Sequence, residues 1–128
     1  PIKGIKAMTD VTGFGLLGHL SEMCQGSGLS AVIEFDKVPR FEMVDQYIAQ
    51  NCLPGGTHRN WESYGHLVKL KDANSKALLC DPQTSGGLLI AVDESDENEV
   101  FEILKAHGID PQPIGYLKEN GDVLIEVV

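Results

Sequence analysis

The sequence predicts an α+β domain spanning residues 1–128, a mixed, largely antiparallel sheet with helices packed on it. Three observations lead there. The length of 128 residues is that of one domain, enough to bury roughly two thirds of its surface on folding. Apolar residues make up 42% and charged residues 23%, a balance neither disordered nor fibrous, and no apolar run nears the ~20 residues of a membrane span. Short β-branched runs also alternate with segments of helical period, in the order β-α-β-α-loop-β-α-β-β.

The elements follow in order. Ile2 to Met8 reads as a short strand entering the turn Thr9-Asp10-Val11-Thr12-Gly13-Phe14-Gly15. A helix follows from Gly13, because Leu16, Leu17, Leu20, Met23 and Cys24 recur at three and four residues, with Gly18 and Glu22 pointing the other way. Gly26-Ser27-Gly28 stops it. Leu29 to Phe35 reads as a buried strand closed off by Pro39, and Phe41 to Gln50 as a second, shorter helix. Residues 51–72, with Pro54-Gly55-Gly56-Thr57, His58, Arg59, Asn60, Trp61, Tyr64 and His66, form the least regular stretch. A loop of that length in a small domain is usually functional or an interface.

Ser75 to Cys80 reads as a helical turn and Asp81-Pro82-Gln83-Thr84-Ser85-Gly86-Gly87 as a second glycine turn. Leu88 to Val92 is apolar on both faces, the pattern of a central strand. The next helix opens on an acidic stretch, where carboxylates suit the positive end of the helix dipole. Val100, Phe101 and Leu104, with His107 at the end, would line its buried face. Asn-Gly within Glu119-Asn120-Gly121 is a hairpin signal joining Pro113–Lys118 to Asp122–Val128.

The charge narrows the function. Ten bases against nineteen acids give a net charge of −9, which argues against holding nucleic acid or an anionic membrane by bulk electrostatics. Six of the acids lie between Asp93 and Glu102, so the rest of the chain nets only −3. Pro1 is preceded by no methionine and followed by no signal or transit pattern, so the chain reads as an excised piece. Cys24, Cys52 and Cys80 are odd in number and form no C-x-x-C pair, as in a reducing cytosol. Their spacing of 28 residues has no matching flanks and marks no repeat.

Chemistry points to the first turn. Gly13-x-Gly15-x-x-Gly18, with Asp36 after the next strand, matches a dinucleotide-binding pattern. Against it stand the short first strand, a chain too small for both halves of a doubly wound sheet, and an antiparallel end. A glycine turn at a helix N-terminus still suits an anionic group through its free N–H groups. The plainer alternative is that Thr12 caps the helix and the glycines allow close packing. Asp10, between Thr9 and Thr12, suits Mg²⁺ held against phosphate, and equally a cap; a lone carboxylate needs partners from elsewhere. The second turn offers Thr84 and Ser85 but no nucleophile elbow, and its glycines precede a strand, so it reads as a turn that places that strand. His19, His58, His66 and His107 lack metal-ligand spacing, and His19 flanks the apolar stripe as a packing residue. Trp61 and Tyr64 read as a docking surface or as core anchors.

Taken together, Ala7-Met8-Thr9-Asp10-Val11-Thr12-Gly13-Phe14-Gly15-Leu16-Leu17-Gly18-His19-Leu20 and Asp81-Pro82-Gln83-Thr84-Ser85-Gly86-Gly87-Leu88-Leu89 closely resemble the two signature segments of the C-terminal domain of selenophosphate synthetases (selenide, water dikinases). Pro54-Gly55-Gly56-Thr57 and Asn60 are similar to that family's middle loop. Aminoimidazole ribonucleotide synthetase and the hydrogenase-maturation and thiamine-phosphate kinases share the fold with a shorter turn. The resemblance implies an enzyme that converts selenide, ATP and water to selenophosphate, AMP and phosphate. It implies that this chain is the C-terminal domain of a two-domain, cytoplasmic homodimer whose N-terminal domain carries the nucleophile and most ATP and metal ligands. No cysteine here matches that nucleophile, so no catalytic residue carries over.

What does carry over is Asp10, as a Mg²⁺ ligand, with Thr12, Gly13 and Gly15 facing the phosphate-bearing cleft. Its partners would be ATP, selenide, the N-terminal domain and a second copy, with no nucleic acid and no membrane. Another ATP-dependent synthetase or kinase of the same superfamily is the nearest alternative, and a non-catalytic docking module using Trp61 and Tyr64 the more distant one. An exposed apolar patch on the middle loop would favour docking. Clustering of Asp10, Gly13, Gly15 and the second turn along one open edge would favour the half-cleft.

Overall fold

The computed structural model describes residues 2–119 and 121–128. Its elements are β1 (Ile5–Asp10), α1 (Gly15–Ser27), β2 (Ser30–Ile33), α2 (Val44–Ala49), α3 (Gly55–Tyr64), β3 (Val68–Lys69), α4 (Ala73–Leu79), β4 (Leu88–Val92), α5 (Glu97–Ala106), β5 (Gly115–Lys118) and β6 (Ile125–Val127). The class is α+β as expected, with the strands divided between two sheets. β1 and β4 form an antiparallel pair, and the other four run in the order β3-β6-β2-β5. In that sheet β6 is parallel to both β2 and β3, while β5 is antiparallel to β2.

The registers sort the four-stranded sheet into two faces. Ala31, Ile125, Val68 and Leu117 share one face with Ile33 and Val127. Against that face pack Leu17, Leu20 and Cys24 of α1, Tyr64 of α3, and Leu79 and Cys80 at the end of α4. Ile125 and Leu17 have no solvent exposure, and burials of this size each contribute about 1.5–3 kcal/mol. On the opposite face Glu126 takes Lys69 at 2.6 Å and Lys118 at 3.9 Å. α1 forms for the reason its stripe predicts, and it ends where Gly28, at φ +70°, returns its N–H to the Cys24 carbonyl.

Several expectations are corrected. β1 continues to Asp10, so that residue ends a strand rather than opening a turn. Residues 51–72 are not a long loop: they hold α3, a 3₁₀ turn (Gly65–Leu67) and β3. The buried face of α3 is Thr57, Asn60 and Tyr64, whose helical spacing is disguised by two polar residues. β4 is not a central strand, for among the described residues it pairs with β1 alone, and it leaves Leu88 exposed.

β5 and β6 do not form a hairpin, because β2 lies between them; the Asn120 of the proposed turn falls outside the described residues. Gly18 is buried rather than outward, as a Cβ there would stand 2.9 Å from the Tyr64 ring. On α5, Val100 is fully buried, Phe101 and Leu104 are half-buried, and His107 is exposed at the C-cap instead of lining the buried face. β1 and β2 belong to different sheets, so the glycine pattern at 13–18 is not part of a dinucleotide-binding βαβ unit. No helix among the described residues is long and apolar enough to cross a membrane.

Candidate functional site

The two glycine turns, some seventy residues apart in sequence, are built as one. Val11 donates its N–H to the Gly87 carbonyl at 2.9 Å and accepts from the Gly86 N–H at 3.2 Å. The Gln83 N–H donates to the Thr12 carbonyl at 3.1 Å. These bonds extend the β1–β4 ladder, in which Asp10 stands opposite Leu88. The close approach demands glycine. A Cβ on Gly86 would lie 2.5 Å from the Val11 carbonyl oxygen. Gly15, at φ +70°, opens α1 against the end of α4, where a Cβ would lie 2.9 Å from the Cys80 carbonyl carbon.

α3 locks this junction from the side. Asn60 is buried and donates from Nδ2 to the carbonyls of Gly13 and Cys80, both at 2.9 Å. The Tyr64 hydroxyl donates to the Phe14 carbonyl, and Gly56 lies against Pro82, where a Cβ would meet Cγ at 2.7 Å. Thr57, with no exposure, donates to Asp81 Oδ1 at 3.5 Å, and Gln83 Nε2 donates to Oδ2 at 2.8 Å. Burial raises the Asp81 pKa, and those two hydrogen bonds oppose the rise. Between the first turn, the start of α3 and Pro82 runs a groove of about 550 Å³, lined by Thr12, Gly13, Phe14, Gly55, Gly56 and Arg59 among others.

Thr12 does not cap α1. Its Oγ1 is instead 3.0 Å from His19 Nε2, and His19 Nδ1 faces Glu22 Oε2 at 3.5 Å. The Phe14 ring meets the imidazole edge-on with centroids 5.9 Å apart. His19 is thus the packing residue expected of it, only 8% exposed, and it also fixes a hydroxyl on the groove wall. Asp10 is exposed at the end of β1, and its carboxylate meets no hydrogen-bond donor or cation among the described residues. A single free, hard carboxylate suits Mg²⁺, which takes few protein ligands and keeps water and phosphate oxygens. No group of three His, Cys, Asp or Glu able to hold a metal occurs among the described residues, so a metal at Asp10 would need ligands from outside them.

The remaining candidates separate from this edge. Thr84 and Ser85 are exposed on the second turn, and His58 and His66 are exposed along α3 and after it. Cys24 and Cys80 are buried, which raises their thiol pKa values, and Cys52 is exposed. Tyr64 is a core residue and Trp61 packs beside it, so these aromatics anchor α3 rather than form a docking patch. Of the residues named in the middle stretch, Arg59 carries no role in the sequence reading, yet it sits on the groove.

The fold is an α+β domain in which two glycine turns interlock beside a groove. The chain belongs to the family of AIR synthase related proteins, C-terminal domain, which matches residues 2–127. Among its relatives is the selenide, water dikinase of Photorhabdus laumondii, 57% identical over 128 residues, 98% of this chain. Those of Haemophilus influenzae and Pseudomonas putida are 55% and 51% identical over 98% and 99% of this chain. The chain spans 37% of the length of each of these relatives. The resemblance read from the two signature segments therefore holds along the whole chain.

Proposed function

We propose that this chain is the C-terminal domain of a cytoplasmic selenide, water dikinase, in which it supplies one wall of an ATP cleft and one metal-binding carboxylate. The carrying observation is convergence: Asp10, Thr12 and Gly13, the second turn and the start of α3 meet along one edge beside a groove, whereas Gly15, expected on the same edge, is buried against the end of α4. The reaction takes selenide, ATP and water to selenophosphate, AMP and orthophosphate. Asp10 would hold Mg²⁺ from this wall, and the bound ion would neutralise phosphate charge that otherwise repels anionic selenide. The chain's own part is positioning. The Val11–Gly87 and Asn60 bonds fix the turn, the Thr12 hydroxyl is oriented by His19, and the open side of Gly13 would let phosphate oxygens approach the backbone. The rest of the cleft, with the nucleophile, belongs to a preceding domain, and the whole enzyme would act as a homodimer.

Asp10→Asn in the full-length enzyme tests the reading. Selenophosphate formation is expected to fall at least ~100-fold, while the 128-residue chain carrying the same change keeps the wild-type amide spectrum. Near-normal turnover in that variant would sink the assignment. The 128-residue chain alone is expected to make no selenophosphate; turnover by it would show that the division between domains is wrong.

A further inference from the structure

Of the ten cations, Arg59 and Lys105 are the two that no carboxylate or aromatic ring engages among the described residues, and of these only Arg59 lines the groove, Lys105 being exposed in the last turn of α5. Lys3, Lys6, Lys37, Arg40, Lys69, Lys71 and Lys118 each pair with a carboxylate, and Lys76 lies over the Trp61 ring. Arg59 pairs with no carboxylate among the described residues, in a chain carrying nineteen acids. Its guanidinium folds back over the first turn of α3, with one Nη 3.5 Å from where a Cβ on Gly55 would stand. That is the positive end of a ten-residue helix, where a cation is disfavoured. No side chain caps this helix at Pro54, and the N–H groups of Gly55 and Gly56 find no acceptor among the described residues. Positive charge from side chain and backbone therefore faces one groove of about 550 Å³ with no acid lining it. The nearby Asp81 carboxylate is engaged by Thr57 and Gln83.

We infer that this groove binds a phosphoryl oxyanion, with Arg59 as its charged ligand. A guanidinium presents two parallel donors to such a group, which a lysine ammonium does not. Space at the backbone supports the same end, since a Cβ on Gly13 would meet nothing within 4 Å. Asn60 is no competing ligand, because its amide hydrogens are spent on Gly13 and Cys80. The inference rests on the half-cleft proposed above and names the residue of this wall that takes the phosphate.

The test is titration of the ¹⁵N-labelled chain with inorganic phosphate and with tripolyphosphate, at fixed ionic strength and with chelator present. Saturable shifts are expected at the Gly13, Gly55 and Gly56 amides and at the Arg59 side chain. Arg59→Gln should weaken binding about tenfold or more, and Arg59→Lys should fall between. Lys105→Gln, which removes the same charge from the exposed end of α5, should leave binding unchanged. Scattered or unsaturable shifts would overturn the site, and so would an Arg59→Gln effect no larger than that of Lys105→Gln. Because the titration contains no metal, failure here leaves the role of Asp10 standing, and failure of the Asp10→Asn test leaves the anion result standing.

Discussion

Asn60 shows how one side chain can hold a site without touching a ligand. Both of its amide hydrogens point at carbonyls, one in the first turn and one at the end of α4. Asn60→Asp replaces a donor pair with an acceptor facing two acceptors, so it should destabilise the domain by on the order of 2–4 kcal/mol, read as a shift in the urea midpoint. Gly86→Ala is expected to cost about 1–3 kcal/mol in the same measurement, because the obstacle is the rigid Val11 backbone rather than a side chain that can turn away. At this scale part of the candidate site is legible in sequence: Asp10, Thr12 and Gly13 stand out as a carboxylate and an open turn at a helix start, whereas the burial of Gly15 against α4 is not. Arg59 is not, because an arginine among polar neighbours looks like any solvated cation until its missing partner and its seat over Gly55 are seen.

Elements were legible where their stabilisation is local. α1 carries its own stripe and glycine stop, and α4 its own cap: Asp72 accepts from the Ser75 N–H at 2.8 Å while the Ser75 hydroxyl accepts from the Asp72 N–H at 3.0 Å. The Ser75 bond holds the Asp72 carboxyl below its ordinary range. A carboxyl whose folded pKa is depressed adds stability above its unfolded pKa and loses it as pH falls through the folded value. Asp72→Ala should therefore lower the melting temperature by a few degrees at pH 7, with the gap narrowing as melts are repeated down through the carboxylate range.

α3 was hidden for the opposite reason. Two glycines begin it, no side chain caps it, and its inward face is half polar, so neither propensity nor apolar period reveals what tertiary hydrogen bonds maintain. β4 misled in another way. Its two apolar faces promise cover on both sides, whereas Leu88 is 58% exposed and Met8 on β1 57%.

Across the whole molecule, net charge and hydrophobic content could be read at once, while strand order could not. An Asn-Gly pair between two apolar runs states a local preference. What overrides it is non-local: β2 buries all four of its residues by taking β5 on one side and β6 on the other. β6 is thus an interior strand although only three residues long, with Ile125 and Val127 in the core. Removing residues 121–128 should abolish cooperative thermal unfolding and collapse the dispersion of the amide spectrum. A truncated chain that still melted cooperatively would show that β2 and β3 can close the sheet without it.

The position of β6 also sets a timetable for synthesis. A ribosome making this chain releases β2 and β3 long before the strand that separates them, so each waits with an open edge and an uncovered apolar side. Helices can gather early, but the sheet cannot be completed until residues 125–127 leave the exit tunnel. A nascent chain stalled short of that point therefore offers chaperones and proteases two unmatched strand edges, and the finished domain offers neither.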